Sequence, residues 1–528
     1  MTGVVCCHVS MLKEATGQTA VSAPGSWSGL AGGEARVSST PYPVPSVTAP
    51  TWATSADADG NAITFVGQAP TAVSRELVFA VGRVSPPGQP ANQTRVFAFD
   101  RDDGHLRWWA GVPAIVLDSN SGPTLDDRAG TVIFASQRFV TALDQATGSQ
   151  RWQTMLSRSV VNASPVVVNE PGQPGRLFIT DYDGFGTSGK LNCLSTDAFS
   201  AGNPHQPGAI VWSTPIGGSS GNSPAYLPRA EGGVGLVYTT TAGDGAGAGN
   251  PGKIIAFEAF AEVPSPVFTF VNPSPEGFFG GVCVGAPERN GLPPVVFAAT
   301  YAFSGGLDAG NLVKVNGATG ALVWSIACNR TQSIPVALPG GRVALSSGIE
   351  GFGTVRGLAL FQDLGSSAAM LWDTALLAEP VPFGGWTQQP VASTFAGRSA
   401  LAIGLVPEAG TFASPSNELC VVDLERSPSD AAFVISRVSG AGGSPAAAGS
   451  SLVSIGAAGL VCYGPTPAML DLSEDGWHAV DDVYAWESGL TAVSRDIDRS
   501  GAVTPGDRAM LLTNLRAAEP TLMMRGRP

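Results

Sequence analysis

The chain has 528 residues, more than one ordinary hydrophobic core can organise. It contains 67 glycines and 41 prolines, yet 44% of its residues are hydrophobic, which argues against a disordered protein and favours short strands joined by turns. The formal net charge is −13 and the sequence has no basic stripe, so nucleic acid is not an expected partner. The sequence also has no apolar run of about 18 residues, which is the length needed to span a membrane.

Residues 1–45 are rich in Ser, Gly, Ala, Thr and Pro, and we interpret them as an irregular or disordered leader. The start of the chain lacks the basic region and the long apolar core of a signal peptide. Cys6 and Cys7 are adjacent within this leader. The remaining five cysteines are scattered in or near apolar runs, which is typical of small buried core residues.

A strand–turn–strand unit recurs through residues 46–465. Its clearest copy is Thr141–Trp152, in which Asp144 can hydrogen-bond into the turn and Gly148 can adopt the positive φ that closes it. Trp152 provides a large anchor for the second strand. Leu312–Trp324 is a further copy. Looser copies are Arg95–Trp108, two segments that end at Trp212 and Trp372, and Lys253–Glu258, which lacks the tryptophan.

The openings of the units can be followed independently, because each has a proline before an apolar strand. They are Gln68-Ala-Pro70, Gly122-Pro123, Ser164-Pro165, Ser223-Pro224, Ala286-Pro287, Ile334-Pro335, Gln389-Pro390 and Ser444-Pro445. Their spacing of roughly 40 to 60 residues is the period of four-stranded propeller blades. The last unit has only three candidate strands, and Ala49–Ala53 could supply the fourth. We therefore predict an all-β fold, a propeller of about eight four-stranded blades closed by an N-terminal strand.

The repeat resembles that of the PQQ-like β-propellers, which reads roughly Ala-x-Asp-x-x-Thr-Gly-x-x-x-Trp. Thr141–Trp152 matches this pattern closely and Leu312–Trp324 matches it well. The family includes quinoprotein alcohol dehydrogenases and non-catalytic outer-membrane assembly lipoproteins, so the resemblance identifies a fold rather than an activity. It also implies that the repeated tryptophans dock neighbouring blades together.

The chemistry-bearing pattern lies in the C-terminal segment 466–528. Residues 496–507 place oxygen ligands at the spacing of a twelve-residue calcium loop, with Gly501 at the sixth position. The predicted ligands are Asp496, Asp498, Ser500, Thr504 and Asp507 through their side chains, and Ala502 through its backbone carbonyl. Arg508–Leu515 is predicted to be the helix that follows this loop.

A second, degenerate loop precedes the first by 25 residues. Its predicted ligands are Asp471, Ser473, Asp475, Trp477 and Asp482, and its helix is expected to begin at Val483–Trp486. His478 and Ala479 depart from the usual pattern. Two such loop–helix units resemble a type I dockerin, and this resemblance implies calcium as the cofactor and a cohesin-like protein as partner.

Three functions compete on this sequence. The first is a non-catalytic, secreted or cell-surface propeller, expected to be a monomer, that binds a protein or a polysaccharide and carries a dockerin-like attachment module. The second is a carbohydrate-active enzyme that uses the propeller channel, suggested by the polysaccharide-degrading proteins that carry dockerins. The third is a PQQ-dependent dehydrogenase, which would place a disulfide of adjacent cysteines beside the cofactor. Cys6-Cys7, the only adjacent pair, lies outside the blades and argues against the third function.

Overall fold

The computed structural model describes residues 25–522, with gaps at 67–68, 116–118, 184–185, 220, 229–234, 244–250, 286–293, 303–307, 349–354, 406–415, 471, 473–479, 490–494 and 498–501. Within this range, eight sheets follow one another along the chain and form the blades of a propeller. The predicted all-β, eight-bladed architecture is confirmed.

The strands are numbered in chain order. Before blade 1 lie β1 (Ser39–Pro43) and β2 (Trp52–Thr54). Blade 1 contains β3 (Thr64–Phe65), β4 (Ala72–Val73), β5 (Leu77–Val84), β6 (Gln93–Asp100) and β7 (Leu106–Gly111). Blade 2 contains β8 (Thr124–Asp126), β9 (Thr131–Asp144) and β10 (Gln150–Val160). Blade 3 contains β11 (Val166–Val168), β12 (Arg176–Thr180), β13 (Gly189–Ser195) and β14 (Ile210–Gly217). Blade 4 contains β15 (Ala225–Leu227), β16 (Leu236–Thr240), β17 (Lys253–Glu258) and β18 (Pro266–Val271).

Blade 5 contains β19 (Cys283–Gly285), β20 (Val295–Ala299), β21 (Gly310–Asn316) and β22 (Leu322–Cys328). Blade 6 contains β23 (Val336–Leu338), β24 (Arg342–Ser347), β25 (Gly357–Asp363) and β26 (Ala368–Asp373). Blade 7 contains β27 (Val391–Phe395), β28 (Arg398–Leu405), β29 (Glu418–Asp423) and β30 (Val434–Ser439). Blade 8 contains β31 (Ala446–Ala448), β32 (Ser451–Gly456) and β33 (Gly459–Tyr463). Three helices follow: α1 (Pro467–Leu470), α2 (Val480–Ser488) and α3 (Pro505–Leu522).

An N-terminal strand closes the ring, as predicted. Strand β2 pairs antiparallel with β33, with Trp52 opposite Cys462, and so supplies the fourth strand of blade 8. In blade 2, β9 is one 14-residue span whose first half pairs with β8 and whose second half pairs with β10. Gln137, at φ 48°, lies between the two halves, so β9 covers the second and third strand positions.

The tryptophans join neighbouring blades, which confirms their predicted docking role. Trp108 of blade 1 donates from Nε1 to the backbone carbonyl of Gln145 in blade 2, at 2.9 Å. Trp52 makes the same bond to Arg101 across the closure of the ring, also at 2.9 Å. Each ring covers the glycine of the next blade's turn, which is Gly148 under Trp108 and Gly104 under Trp52.

We expect Gly148→Ala to destabilise the protein by about 2–4 kcal/mol, because φ is +71° and a Cβ would lie 2.5 Å from the Trp108 ring. Gly130 is the matched control, since its φ is +63° and nothing lies within 4 Å of the position that a Cβ would occupy. Gly130→Ala should therefore cost only the backbone strain, about 1 kcal/mol. Urea unfolding measures both, and equal losses for the two variants would refute the docking role of Trp108.

The segment 1–45 was predicted to be an irregular or disordered leader. Its described part follows an irregular path that is packed against the blades: residues 25–47, here called the plug, run through the centre of the ring. Trp27 pairs with Val73 of blade 1 through backbone bonds, and β1 pairs in parallel with β27 of blade 7. The Ser, Gly and Pro content that suggested disorder allows this segment to follow an irregular path among eight blades. Residues 1–24 lie outside the described residues.

One predicted blade opening is also wrong. Ala286-Pro287, which lies outside the described residues, was expected to open blade 5, but the innermost strand of that blade is β19, which ends at Gly285. Gly281 takes the position in the central lining that Ser223 occupies in blade 4 and Ile334 in blade 6. Blade 5 therefore opens without the proline that marks the other units, and the proline pattern could not locate it.

The segment after blade 8 is helical, as predicted. Both expected helices are present, as α2 and α3, and they share a small apolar core with Leu470, Leu472 and Ile497. In the part of the chain described by the structure, no helix has the length and apolar character needed to cross a membrane.

Candidate functional site at the channel mouth

The residues that open the blades meet at the centre of the ring and bond to one another in sequence. The backbone N–H of Gly122 in blade 2 donates to Ser164 Oγ in blade 3, at 2.9 Å. The N–H of Ser164 then donates to Ser223 Oγ in blade 4, also at 2.9 Å. Each bond satisfies a buried amide that has no partner within its own blade, so the openings hold neighbouring blades in register.

The same pattern returns on the opposite side of the ring. The N–H of Ile334 in blade 6 donates to Gln389 Oε1 in blade 7, at 2.9 Å. The N–H of Gln389 donates to Ser444 Oγ in blade 8, at 3.2 Å. Glutamine replaces serine here and also donates from Nε2 to the Ile334 carbonyl at 3.1 Å, which closes a second bond across this junction.

These openings surround a small cup at the mouth of the channel. Its volume is about 30 Å³, which is the space of roughly one water molecule. Segments from all eight blades line it, and every polar side chain in the lining is an uncharged amide or hydroxyl: Asn120, Asn162, Ser164, Ser223, Gln332, Ser333, Thr387, Gln389 and Ser444. The cup can donate and accept hydrogen bonds in many directions, and none of the described residues that line it is titratable.

The plug closes the channel below the cup, where Leu30 forms part of the lining. Arg36 is the centre of this closure and is 1% exposed. Its guanidinium donates to the carbonyls of Leu30 at 2.6 Å and Pro224 at 3.1 Å, and to those of Ser164 and Pro165 at 3.3 and 2.7 Å. Burial lowers the pKa of Arg36 to about 9, so the side chain is still a cation at neutral pH.

Glu34 provides a second charge-bearing group in the plug, and the residue is half-buried. Its backbone carbonyl accepts from the Tyr226 N–H at 2.7 Å, and the Tyr226 hydroxyl donates to Glu170 of blade 3. Oε1 of Glu34 is buried without a hydrogen-bond partner. Burial, and secondly the negative charge of Glu170, raise the pKa of Glu34 to about 8. The plug therefore binds a proton on Glu34 near neutral pH.

An aromatic group lies beside the cup. Tyr301 packs between Phe279 and Trp386, with ring centroids 5.1 and 5.5 Å apart. The backbone carbonyl of Trp386 accepts from the N–H of Gln332, a lining residue, at 2.8 Å. Trp386 is partly exposed, so an amphipathic surface adjoins the neutral hydrogen-bonding groups of the cup.

The predicted calcium ligands are described only in part. Asp498, Ser500, Asp471, Ser473, Asp475 and Trp477 lie outside the described residues. Asp482 and Asp507 have buried side chains at 0% exposure, on α2 and α3 respectively. Oδ2 of Asp507 accepts from the N–H and the hydroxyl of Thr504, at 2.6 and 3.2 Å, at the start of α3.

The donor set at this loop fits a hard cation such as calcium. Asp496, Thr504 and Asp507 carry carboxylate or hydroxyl oxygens, and Ala502 offers a carbonyl. Among the described residues, no three carboxylate, imidazole or thiol groups stand close enough to hold a metal ion by themselves. A complete calcium site therefore requires Asp498 and Ser500, and the site remains a prediction.

The lining residues were missed as a site by sequence reasoning, although a signal was present. Ser164, Ser223, Gln389 and Ser444 each precede the proline that opens a blade, and the repeat placed them at equivalent positions. Equivalent positions in a closed ring meet at its centre, so the four polar side chains before the prolines could have been predicted to line one common site. Asn120, Asn162 and Gln332 have no such marker.

The described channel does not fit PQQ, the cofactor that the fold resemblance implies. Small-molecule sites usually have volumes of about 300–1,000 Å³, whereas the cup offers about 30 Å³. Leu30 and the plug occupy the space below it. Cys6 and Cys7, which would form the disulfide beside the cofactor, lie outside the described residues.

Comparisons with known proteins agree with the fold. A family model described as outer membrane protein assembly factor BamB matches residues 9–227, about two fifths of the chain. A search of curated protein sequences found no match. The quinohemoprotein alcohol dehydrogenase ADHIIG from Pseudomonas putida HK5 has a TM-score of 0.56 at 10% identity, covering 95% of this chain and 96% of that chain.

Two further solved structures are similar. The quinohemoprotein alcohol dehydrogenase from Comamonas testosteroni has a TM-score of 0.50 at 10% identity and covers 82% of this chain and 77% of that chain. BamB from Moraxella catarrhalis has a TM-score of 0.48 at 15% identity and covers 76% of this chain and 95% of that chain. The similarity to the two dehydrogenase structures shows a shared propeller architecture, and at 10% identity it leaves the activity open.

Proposed function

We propose that this chain, with its PQQ-like propeller fold, is a non-catalytic binding protein that acts outside the cytoplasm, secreted or at the cell surface. The observation that carries the proposal is the neutral lining of the channel mouth. General acid–base catalysis requires a group that exchanges a proton, whereas amides and hydroxyls only donate and accept hydrogen bonds. A mouth built from such groups is suited to recognition.

The ligand that suits this surface best is a polysaccharide chain. Sugar hydroxyls both donate and accept, as do the carboxamides of Asn120, Asn162 and Gln332. The aromatic group around Trp386 adds an apolar face beside Gln332, against which the C–H face of a sugar ring can pack. The cup is small enough to receive one hydroxyl group while the rest of the chain lies across the mouth.

The C-terminal segment would attach the propeller to a cohesin-like partner through calcium-loaded loops. The support is local: α2 and α3 each follow a predicted loop, and both pack on one core that includes Ile497, the neighbour of Asp496. Asp482 and Asp507 supply buried carboxylate oxygens, the kind of ligand that a hard cation such as calcium prefers. We expect the propeller itself to be a monomer.

A carbohydrate-active enzyme is the second candidate, and one observation favours it. Asp181, which directly follows β12, is buried, and its Oδ2 has no hydrogen-bond partner. Burial raises the pKa of Asp181, as expected for a general acid. Its backbone carbonyl accepts from Ser219, close in sequence to Gly221 of the cup lining.

We expect the full-length protein to bind at least one neutral polysaccharide without releasing sugars. The variant Gln332→Ala should bind it about tenfold more weakly, because one buried amide contact is lost. Calorimetry measures the affinity and chromatography of the supernatant detects any product. Gln362→Ala is the control, because Gln362 bonds to the carbonyl of Gly340 in the turn after β23, away from the mouth.

Product release that Asp181→Asn abolishes would favour the enzyme over the binding protein. If no polysaccharide binds, polysaccharides are excluded as ligands of the channel mouth, and a protein is then the expected ligand.

A further inference from the structure

A buried carboxylate in the interface between blades 2 and 3 has only one of its two oxygens bonded. Asp126, the last residue of β8, is 0% exposed. Its Oδ1 accepts from the backbone N–H of Ala129 at 3.1 Å and from Nδ2 of Asn169 in blade 3 at 2.8 Å. Its Oδ2 is buried and has no hydrogen-bond partner. A carboxylate oxygen in this position is costly unless a further group binds it.

Three more oxygens with the same property are grouped around Asp126. Thr131 is its partner in the antiparallel pair of β8 and β9, so the two side chains are on the same face of blade 2. Thr196, which follows β13 of blade 3, is close enough to oppose the rise that burial causes in the pKa of Asp126. Both threonines are 4% exposed. The buried atoms without a hydrogen-bond partner are Oγ1 of Thr131, Oγ1 of Thr196 and Oδ1 of Asn169.

The charges at this interface do not balance. Arg128 is the nearby cation, and its positive charge favours the ionised form of Asp126. Its guanidinium, however, donates to the carboxylate of Asp197 at 2.7 Å and to the backbone carbonyl of Gln173 at 3.2 Å. One guanidinium therefore serves two carboxylates, and the ionised cluster keeps one negative charge in a buried position.

We propose that this cluster binds one sodium ion between the Asp126 carboxylate and the three neutral oxygens. Carboxylate, amide and hydroxyl oxygens are the ligands that hard cations prefer. One positive charge balances the one excess carboxylate, whereas a divalent ion would leave a buried positive charge. The ion joins β8 of blade 2 to the inner and outer turns of blade 3. The site is separate from the C-terminal loops and does not rest on the proposed function.

Urea unfolding of the full-length protein in sodium chloride and in choline chloride, at equal ionic strength, tests the proposal. EGTA in both solutions removes any contribution from calcium. At about 200 mM sodium, the folding equilibrium constant should be about tenfold larger than in choline, which corresponds to a dissociation constant of about 20 mM. Equal constants in the two salts would overturn the proposal and leave a water molecule or a proton as the partner of Asp126.

Asp126→Asn should abolish the difference between the two salts. Asp127→Asn is the matched control, because Asp127 is the exposed neighbour, its replacement removes the same charge, and the full difference should remain. A difference that persists in Asp126→Asn would place the sodium elsewhere and overturn the site.

Thr196→Val covers the case in which Asp126→Asn does not fold. It preserves the shape of the side chain and removes a hydroxyl that makes no hydrogen bond of ordinary geometry, so in choline the variant should be at least as stable as the wild type. In sodium, the tenfold gain should fall to about threefold or less, because one ligand is lost. An undiminished gain in Thr196→Val would overturn the site.

Discussion

Replacing Arg36 by methionine is expected to lower the free energy of unfolding by about 4 kcal/mol, although the side-chain volume is almost conserved. The guanidinium donates to four backbone carbonyls, from Leu30, Ser164, Pro165 and Pro224, at the centre of the ring. Without it, carbonyls from the plug and from blades 3 and 4 are buried without their donor, and each unsatisfied group costs about 1–3 kcal/mol. Thr124 Oγ1 still satisfies Pro165, so the loss is smaller than four full penalties.

Urea unfolding of Arg36→Met and wild type at pH 7 measures this effect. Arg107→Ala is the matched control, since Arg107 forms an exposed pair with Asp100 on a blade edge and its loss should leave the free energy of unfolding nearly unchanged. If Arg36→Met lies within about 1 kcal/mol of wild type, the plug is not a structural element of the propeller.

Glu34 should make the stability of the ring fall as pH rises. Its pKa is about 8 in the folded protein, against 4.5 for an unperturbed glutamate, so the folded state holds a proton that the unfolded chain has released. The native protein then binds more protons than the unfolded chain between pH 4.5 and 8, and the free energy of unfolding decreases across that window. We expect a loss of roughly 2–4 kcal/mol, most of it complete by pH 8.

Glu34→Gln is the decisive variant, because glutamine is neutral at every pH and nearly the same shape as the protonated acid. The variant should be more stable than wild type at pH 8, similar to it at pH 5, and flatter between the two. Urea unfolding at pH 5, 6.5 and 8 gives the slopes. Glu258→Gln, at an exposed strand end, should retain the wild-type slope, and an unchanged slope in Glu34→Gln would place the proton elsewhere.

The functional consequence of these two residues is that the plug belongs to the propeller. A wide channel would invite a cofactor or a substrate into the centre of the ring, as the fold resemblance suggested. Arg36 and Glu34 fill that centre with groups bonded to the blades themselves. What remains accessible is the neutral mouth, and this is why recognition rather than redox chemistry is the function we propose.

The sequence by itself determined the repeat and therefore the fold. Thr141–Trp152 and its copies predicted the blades, and Trp52 could be recognised as part of a closing strand because the last unit lacked one. These features are local: a turn glycine and a tryptophan at fixed spacing specify one hairpin and its contact with the next. The two C-terminal helices were also predictable from local features, namely the spacing of the two loops and the apolar residues that follow them.

Only the tertiary structure decided what occupies the centre of the ring. The composition of residues 25–45 suggests disorder, because nothing local shows that Arg36 will meet carbonyls 128 and 188 positions further along the chain. The mouth is likewise invisible locally, since Ser164 and Gln389 become neighbours of other blade openings only when the ring closes. Closure converts equivalent positions in a repeat into one surface, and long-range contacts of this kind are not encoded in any single segment.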